Sequence, residues 1–223
     1  MEYAWHHLED LLGSKLAYIK SELEVHYNES HRHYHTLTHI DDMLTILMNF
    51  TDVINDVKSI YLATLFHDVI YNPQSSTNEE DSAALFETLC GDLLPNEMLV
   101  KVKKYIIETK AHKVHNSDDN DLKLFIDADM SILGREPVVY QQYCAHIRLE
   151  YQHVSDDIYC TKRAAFLRSC LDDTTPIFAS PQFAGLYGAQ ALVNLAWECS
   201  LLEAGRLDVI MQSLRVVRDE HFF

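Results

Sequence analysis

An aspartate on the apolar face of a predicted helix is the first candidate for a functional residue. At about 100° per residue, Asp129 falls at the centre of a stripe of apolar side chains, formed by Leu122, Phe125, Ile126, Ile132 and Leu133. Asp127 is expected on the opposite side of the same helix. A carboxylate that faces a core is costly unless an ion, an arginine or hydrogen bonds compensate it. Asp129 therefore needs a partner, which could be a metal ion or a buried arginine.

A histidine-aspartate pair and a second histidine supply further ligands. His67 and Asp68 stand on the flank and final turn of an apolar helix, and His39 stands beside an apolar stripe near the start of another. Three helices could therefore direct these groups to one point. Imidazole and carboxylate together suit Mn²⁺, Fe²⁺, Co²⁺, Ni²⁺ or Zn²⁺, and the lack of thiolates disfavours structural zinc. Mg²⁺ is a further candidate ion. We predict a divalent metal ion bound by His39, His67, Asp68 and Asp129.

Two polar residues at the start of a predicted helix could face the predicted metal site. Asn78 and Glu79 extend the apolar stripe of the helix predicted from about residue 79 to residue 92. Glu79 is a candidate general base or water-orienting group, and hydrogen bonding at the helix cap is its alternative role. Asn78 is a candidate substrate ligand.

Several basic or imidazole side chains are candidate ligands for an anionic substrate. Arg32 and His35 immediately precede the second predicted helix, where they could contact an anionic oxygen or cap neighbouring helices. His112 continues an apolar stripe to the buried end of a helix, which suits a phosphate ligand, a second metal ligand or a satisfied core histidine. Arg148 and Arg163 could line the substrate mouth. They could instead pair with Glu150 and Glu198, two glutamates that lie among apolar side chains.

The elements that must position these groups are all helices. With six Gly and five Pro in 223 residues, and helix formers throughout, a loop-rich all-β chain is disfavoured. We predict helices at about 4–27, 38–51, 57–71, 79–92, 96–111, 120–133, 137–155, 159–171, 182–203 and 206–219. Since no linker or repeat divides the chain, residues 1–223 are expected to form a single all-α domain. The acidic residues Asp118, Asp119 and Asp121 are expected to form a solvated helix start.

Charge and composition limit the partners. The net charge of −16 disfavours a nucleic acid polymer, because such binding depends on clustered lysine and arginine. No stretch approaches about 18 uninterrupted apolar residues, so no membrane span is expected. Five cysteines without CxxC spacing favour reduced thiols in a cytoplasmic protein. A small phosphorylated substrate is compatible if a bound cation inverts the local potential, and a homodimer is compatible too.

The order of the candidate ligands resembles the H…HD…D signature of the HD superfamily of metal-dependent phosphohydrolases. In this chain, His67-Asp68 follows His39 after 28 residues, and Asp129 comes later. The chain is also similar to a bacterial branch predicted to be such hydrolases, through the motifs Arg32-x-Tyr34-His35-x-x-x-His39-Ile40, Phe66-His67-Asp68-x-x-Tyr71, Asn78-Glu79-x-x-Ser82-Ala83 and Ile147-Arg148-x-Glu150-Tyr151. The likeness covers about residues 30–200.

This resemblance implies both a fold, a helical bundle of the HD-domain type, and a type of reaction. The expected reaction is hydrolysis of a phosphoester, such as a nucleotide or other small phosphorylated metabolite, by a metal-activated water. Asp68 or Glu79 would orient that water or take its proton. One departure concerns the substrate rather than the metal, because the branch carries an arginine before the asparagine of its last long helix, where this chain has Val193-Asn194.

Two other functions fit the same residues. A di-iron oxygenase of the HD superfamily would need a second set of ligands around His112, for which His115 is the one nearby histidine. A non-catalytic, metal-stabilised ligand-sensing module would keep the ion without turnover. Metal stoichiometry and a substrate screen distinguish the three.

Overall fold

The computed structural model describes residues 1–112, 114, 117–172 and 176–219, without the side chains of residue 172 and residues 215–219. Within these ranges the chain is helical and contains no strand, so the all-α prediction is confirmed. It forms two compact units, Met1–Asp129 and Met130–Phe223, each of which is described by itself. The expectation of a single domain stays a prediction. No described helix has both the length and the apolar character needed to cross a bilayer.

The helices of the first unit follow the predicted order. They are α1 (Glu2–Leu12), α2 (Leu16–Tyr27), α3 (Leu37–Met48), α4 (Val57–Phe66), α5 (Asn78–Cys90), α6 (Asn96–Glu108) and α7 (Asn120–Met130). The first predicted helix is interrupted by a 3₁₀ turn at Gly13–Lys15. Gly13 has a φ of 50°, which a residue without a Cβ adopts at little cost, so the chain can change direction there.

Helix α4 is the central element of the first unit. Every residue from Ser59 to Phe66 is buried, and the helix packs against α1, α3, α5 and α6. A helix that is buried on all sides needs no polar face, which explains its nearly continuous apolar sequence. It ends at Phe66 rather than at residue 71 as predicted.

Asp121 joins the start of α4 to α7. Its Oδ1 accepts hydrogen bonds from Asn55 N at 2.8 Å and Asn55 Nδ2 at 3.1 Å, and its Oδ2 accepts from Asp56 N at 2.9 Å. Lys101 Nζ lies 3.2 Å from the same Oδ2. The carboxylate is buried, so the expectation of a solvated Asp121 is wrong. These bonds fix two helices that carry candidate ligands.

The second unit contains four described helices. They are α8 (Pro137–Glu150), α9 (Asp156–Asp172), α10 (Pro181–Glu203) and α11 (Leu207–Asp219), preceded by a 3₁₀ turn at Ser131–Gly134. Glu198 of α10 is fully buried and binds both Arg163 Nε at 2.9 Å and Arg163 Nη2 at 3.2 Å. Tyr140 donates to the same carboxylate. The expected pairing of a buried glutamate with an arginine is confirmed for Glu198.

Gly134 allows the turn at Ser131–Gly134 to approach α10 closely. A Cβ at this position would overlap with backbone atoms and the Cβ of Tyr187. Asn194 of α10 holds the same turn, since its Nδ2 donates to Leu133 O and to Arg135 O, each at 2.8 Å. The close approach of this turn to α10 therefore depends on glycine at position 134.

Gly134→Ala is expected to lower the free energy of unfolding by roughly 1–3 kcal/mol, because backbone atoms must move to admit the methyl group. Gly185→Ala is the matched control, since nothing lies within 4 Å of a Cβ at that exposed position of α10. The control should gain about 0.5–1 kcal/mol from helix propensity. Urea unfolding followed by far-UV circular dichroism measures both, and equal stabilities of the two variants would contradict this account.

Candidate metal centre

The four predicted metal ligands lie at helix ends within the first unit. His39 is in the first turn of α3, His67 and Asp68 directly follow α4, and Asp129 is in the last turn of α7. The two imidazoles are buried, with 3% and 1% of their side chains exposed. Asp129 is 13% exposed and Asp68 21% exposed. The group is therefore almost closed, and Asp68 is its most open member.

The ligand atoms of these residues converge. His39 Nε2 lies 3.4 Å from His67 Nε2 and 3.2 Å from Asp129 Oδ1. His67 Nε2 lies 3.7 Å from Asp129 Oδ1. Asp68 Oδ2 is 3.0 Å from His67 Nε2 and 3.7 Å from His39 Nε2. Ligand atoms of His39, His67 and Asp129 all lie within 4.8 Å of one another, and Asp68 contacts both imidazoles beside that group.

These separations fit a transition-metal ion. Bonds of about 2.0–2.2 Å to nitrogen and oxygen place neighbouring ligand atoms about 2.8–3.6 Å apart at octahedral or tetrahedral angles. The separations of 3.0–3.7 Å between the ligand atoms cover most of this range and exceed its upper end by about 0.1 Å. Two imidazoles and two carboxylates also form a set of mixed hardness that suits Mn²⁺, Fe²⁺, Co²⁺, Ni²⁺ or Zn²⁺. The residues present therefore fit an ion of this kind.

A backbone carbonyl sets the tautomer of His67. Its Nδ1 lies 2.9 Å from Thr64 O, and because a carbonyl oxygen only accepts, Nδ1 must carry the proton of that bond. In the neutral imidazole, Nε2 then presents a lone pair to the other ligands. A carbonyl that orients a histidine in this way is a usual second partner of a metal ligand.

The charges of the group favour a cation at its centre. Burial opposes protonation of His67, yet Asp68 and Asp129 raise the pKa of His67 well above its usual value. Burial also opposes ionisation of Asp129, but hydrogen bonds from His39 and His67 hold the pKa of Asp129 well below its usual range. The carboxylates thus favour a positive charge at the imidazole nitrogens, which either a proton or a metal ion could supply.

The neighbourhood of Asp129 differs from the expected two-sided helix. Its ion-pair partners are His39 and His67 rather than an arginine. Asp127, which was expected on the opposite side, is also buried. Residues 121, 122 and 124–128 are all buried, so α7 has little solvent-exposed face on which a polar residue could be placed by periodicity.

His35 and two tyrosines lie beside the metal ligands. The His35 ring stacks on Tyr71 with centroids 4.2 Å apart and lies 6.0 Å from the His39 ring. The Tyr34 ring is 4.8 Å from the His39 ring. Although burial opposes ionisation, His67 and then His35 lower the pKa of Asp68. His35 is therefore placed near the candidate ligands His39 and Asp68, and its substrate role stays a prediction.

Glu79 and Asn78 contact residues other than the four ligands. Glu79 Oε2 lies 3.5 Å from Lys110 Nζ. Asn78 Oδ1 accepts from Asn72 N, and Asn78 Nδ2 donates to Asn72 O, both at 3.0 Å. These contacts give Asn78 a role in holding the loop after α4. The catalytic role of Glu79 and the substrate role of Asn78 stay predictions.

Arg32 is buried beneath the loop that carries Asp68. Its Nη1 donates to Asp68 O at 2.7 Å and to His35 O at 3.1 Å, and its Nη2 donates to Val69 O at 2.9 Å. Its Nε donates to Glu29 Oε2 at 2.9 Å. With 0% of the side chain exposed, these contacts favour the alternative in which Arg32 caps a neighbouring helix, here through the carbonyls that follow α4. Its substrate role stays a prediction.

His112 is exposed, so its expected burial is wrong. Helix α6 ends at Glu108, a 3₁₀ turn covers Thr109–Ala111, and His112 follows with a left-handed φ of 50°. The apolar stripe of α6 cannot be extended through these residues, because both the tighter turn and the positive φ change its period. The substrate role of His112 stays a prediction, and His115 lies outside the described residues.

Arg148 lies in the second unit. Its Nη1 donates to Tyr151 O at 2.8 Å and its Nη2 donates to Val154 O at 3.1 Å and to Asp156. Its guanidinium also stands over the Tyr159 ring. It therefore satisfies carbonyls beyond the end of α8, and its substrate role stays a prediction.

Three residues around the site were not singled out from the sequence. Thr64 orients His67 through its carbonyl, which no side-chain pattern reveals. Ser82 and His31 bond the loop that follows α4. Ser82 belongs to the segment Asn78-Glu79-x-x-Ser82-Ala83, whose resemblance to a family motif was the signal available for it.

Comparison of the chain with family models, with curated protein sequences and with solved structures gave no match.

Proposed function

We propose that this chain is a divalent-metal-dependent phosphohydrolase that acts on a small phosphorylated substrate. The observation that supports it is the convergence of His39, His67 and Asp129 on one point, with Asp68 against both imidazoles. The order of these residues, which resembles the HD signature, supports the choice of phosphoester chemistry. The HD-type fold, a nucleotide substrate, a cytoplasmic location and a homodimer belong to the same proposal.

The roles of the residues follow from their exposure and charge. His39, His67 and Asp129, which are the more buried members, would hold the ion together with Asp68. When bound, the ion would supply a Lewis acid for a phosphoryl oxygen and lower the pKa of water. Asp68 is the most exposed of the four at 21%, so it is the group best placed to meet water or substrate.

Asp68 is better suited to orienting water than to storing a proton. Although burial opposes ionisation, its neighbours His67 and His35 lower the pKa of Asp68. With an ion bound and His67 neutral, the charge of the cation would favour the ionised carboxylate in place of the charge of His67, and such a carboxylate is a weak base. Such a group accepts a hydrogen bond from the attacking water and fixes its direction. Glu79, beside Lys110, is the second candidate for the proton. His35 would balance charge on the phosphate.

A metal-dependent phosphatase screen tests the proposal. The protein is stripped with a chelator, reloaded with Mn²⁺, Mg²⁺, Co²⁺ or Ni²⁺, and assayed for phosphate release from phosphomonoesters and nucleotides. We expect turnover by the loaded protein, none after chelation, and at least about 100-fold less in His67→Ala and Asp129→Ala.

The control for the screen is Asp42→Asn, an exposed position on α3, which should retain full activity. A loaded wild type that releases no phosphate from any compound would contradict the hydrolase proposal and favour a ligand-sensing module. Two irons per chain with oxygen consumption would instead favour the oxygenase.

A further inference from the structure

Five consecutive backbone carbonyls after α4 accept hydrogen bonds from side chains. They belong to residues 68–72, the segment that begins with the candidate ligand Asp68. The donors are four residues from two neighbouring segments, which we call the carbonyl clamp: His31, Arg32, Asn78 and Ser82. A surface loop normally leaves such groups to water and is mobile. This one is held by the protein along its length.

The first two carbonyls are held from the segment between α2 and α3. Arg32 donates to Asp68 O at 2.7 Å and to Val69 O at 2.9 Å. Its guanidinium lies over the rings of Tyr27 and Tyr71, at 5.0 Å and 5.4 Å from their centroids. Because a guanidinium is planar and has a fixed fork of donors, it sets the direction as well as the position of these carbonyls.

The remaining three carbonyls are held from both sides. Ser82 Oγ lies 3.3 Å from Ile70 O and accepts from Ile70 N at 3.0 Å. His31 Nε2 lies 2.7 Å from Tyr71 O and must donate to it. Asn78 binds both the N–H and the carbonyl of Asn72. Ser82 and Asn78 belong to α5, so the loop is fastened to a helix at these points.

Asp68 is the one predicted ligand that depends on this loop. His39 and Asp129 lie inside helices, and His67 is the residue that caps α4 with helical dihedral angles. Asp68 comes after the helix has ended, so helical hydrogen bonding does not orient it. Its carboxylate nevertheless lies 3.0 Å from His67 Nε2. A ligand placed this closely requires support from the residues around it.

We propose that the carbonyl clamp is a set of positioning residues that fixes the Asp68 carboxylate against the two imidazoles for ion binding. This inference rests on the proposed function, and it gives the Arg32, Asn78 and Ser82 motif positions a shared role. Arg32 and Asn78 then act through Asp68 rather than on the substrate.

Calorimetric titration with Co²⁺, together with the visible absorption of bound Co²⁺, tests the proposal in the full chain. The clamp variant is Ser82→Ala with Asn78→Ala, which removes four bonds to the loop and leaves the buried Arg32 in place. The control is Asn49→Ala with Thr88→Ala, exposed side chains that bond the carbonyls of Thr45 and Ala84. Both variants are also made on an Asp68→Ala background.

The clamp variant should bind Co²⁺ about 10–100-fold more weakly than the wild type, as loss of outer partners does elsewhere, and its absorption band should change. On the Asp68→Ala background, the clamp substitutions should change the Co²⁺ affinity less than about twofold, because their target is gone. The control substitutions should leave the Co²⁺ affinity unchanged, both in the wild type and on the Asp68→Ala background. Asn78→Ala alone should give a smaller change in the same direction.

Two results would overturn the inference alone: a clamp variant that binds Co²⁺ like the wild type, or a loss of affinity that is equally large on the Asp68→Ala background. The second would show that the clamp stabilises the site without acting through Asp68. A wild type that binds no Co²⁺ would overturn the proposed function and the inference together.

Discussion

The Asp129→Asn protein is expected to bind Mn²⁺ at least about 100-fold more weakly than the wild type, which should bind one ion per chain. Asp129 Oδ1 lies 3.2 Å from His39 Nε2 and 3.7 Å from His67 Nε2, so one ion could contact all three atoms. Asparagine keeps the shape of the side chain but removes the negative charge. The ion would then meet two neutral imidazoles and a single carboxylate, Asp68.

Two measurements check this expectation. Calorimetric titration gives the affinity and stoichiometry, and thermal melting gives the stabilisation that the ion confers. An ion that binds the native state alone, present at about 100 times its dissociation constant, adds about 2.7 kcal/mol. The wild type should therefore melt at a higher temperature with Mn²⁺, whereas the same ion concentration should add at most about 0.4 kcal/mol to Asp129→Asn.

Asp42→Asn provides the comparison for the same chemical change outside the site. Asp42 is exposed and lies on α3, the helix of His39. It should bind Mn²⁺ like the wild type. If Asp129→Asn retained its affinity, or if Asp42→Asn lost the same amount, the four-ligand centre would be wrong.

The centre was open to prediction because its members are polar residues on or beside apolar faces. Asp129 was conspicuous because a carboxylate at the centre of an apolar stripe is rare for energetic reasons, whereas His67 and His39, which flank their stripes, gained weight from their order along the chain. The structure brings ligand atoms of the three residues within 4.8 Å of one another. The same pattern placed Asp127 on the opposite side of the helix but did not indicate that Asp127 would be buried as well. Asp127 and Asp129 are both held by a helix with little exposed surface, and periodicity assigns faces only where a helix has two.

The ends of the helices were harder to predict, because they depend on contacts with residues distant in sequence. The sequence from residue 57 to residue 71 continues an apolar pattern, yet α4 stops at Phe66. The carbonyls that follow are taken by side chains distant in sequence, such as Arg32 and Ser82. Similarly, α6 gives way to a 3₁₀ turn before His112, which moves that imidazole to the surface.

The burial of Asp121 could not be predicted from the acidic segment in which it lies. Asp118, Asp119 and Asp121 look alike in sequence, and nothing local marks the last as buried. Its partners are the backbone of Asn55 and Asp56, more than sixty positions earlier. Only the hydrogen bonds from the segment that precedes α4 to the first turn of α7 identify it.

Asp121→Ala is therefore expected to lower the free energy of unfolding by about 3–5 kcal/mol. The substitution leaves the N–H groups of Asn55 and Asp56 without their acceptor and Lys101 without a buried partner. Asp121→Asn should cost less, roughly 1–3 kcal/mol, because its oxygen can still accept while its amide nitrogen faces another donor. Asp118→Ala, at an exposed position of the same run, should stay within about 0.5 kcal/mol of the wild type. Urea unfolding monitored by circular dichroism gives all three values.

The same variants separate local stability from the geometry of the metal centre. Asp121 ties the start of α4 to α7, and these two helices present His67 and Asp129 to each other. Asp121→Asn, which should remain folded, is thus expected to weaken Mn²⁺ binding although it lies outside the ligand group, while Asp118→Ala leaves binding unchanged. Should Asp121→Asn unfold more easily yet bind Mn²⁺ with wild-type affinity, the ligand positions would be fixed by contacts other than this one. The packing of α4 in the core would then be the main determinant, since every residue from Ser59 to Phe66 is buried there.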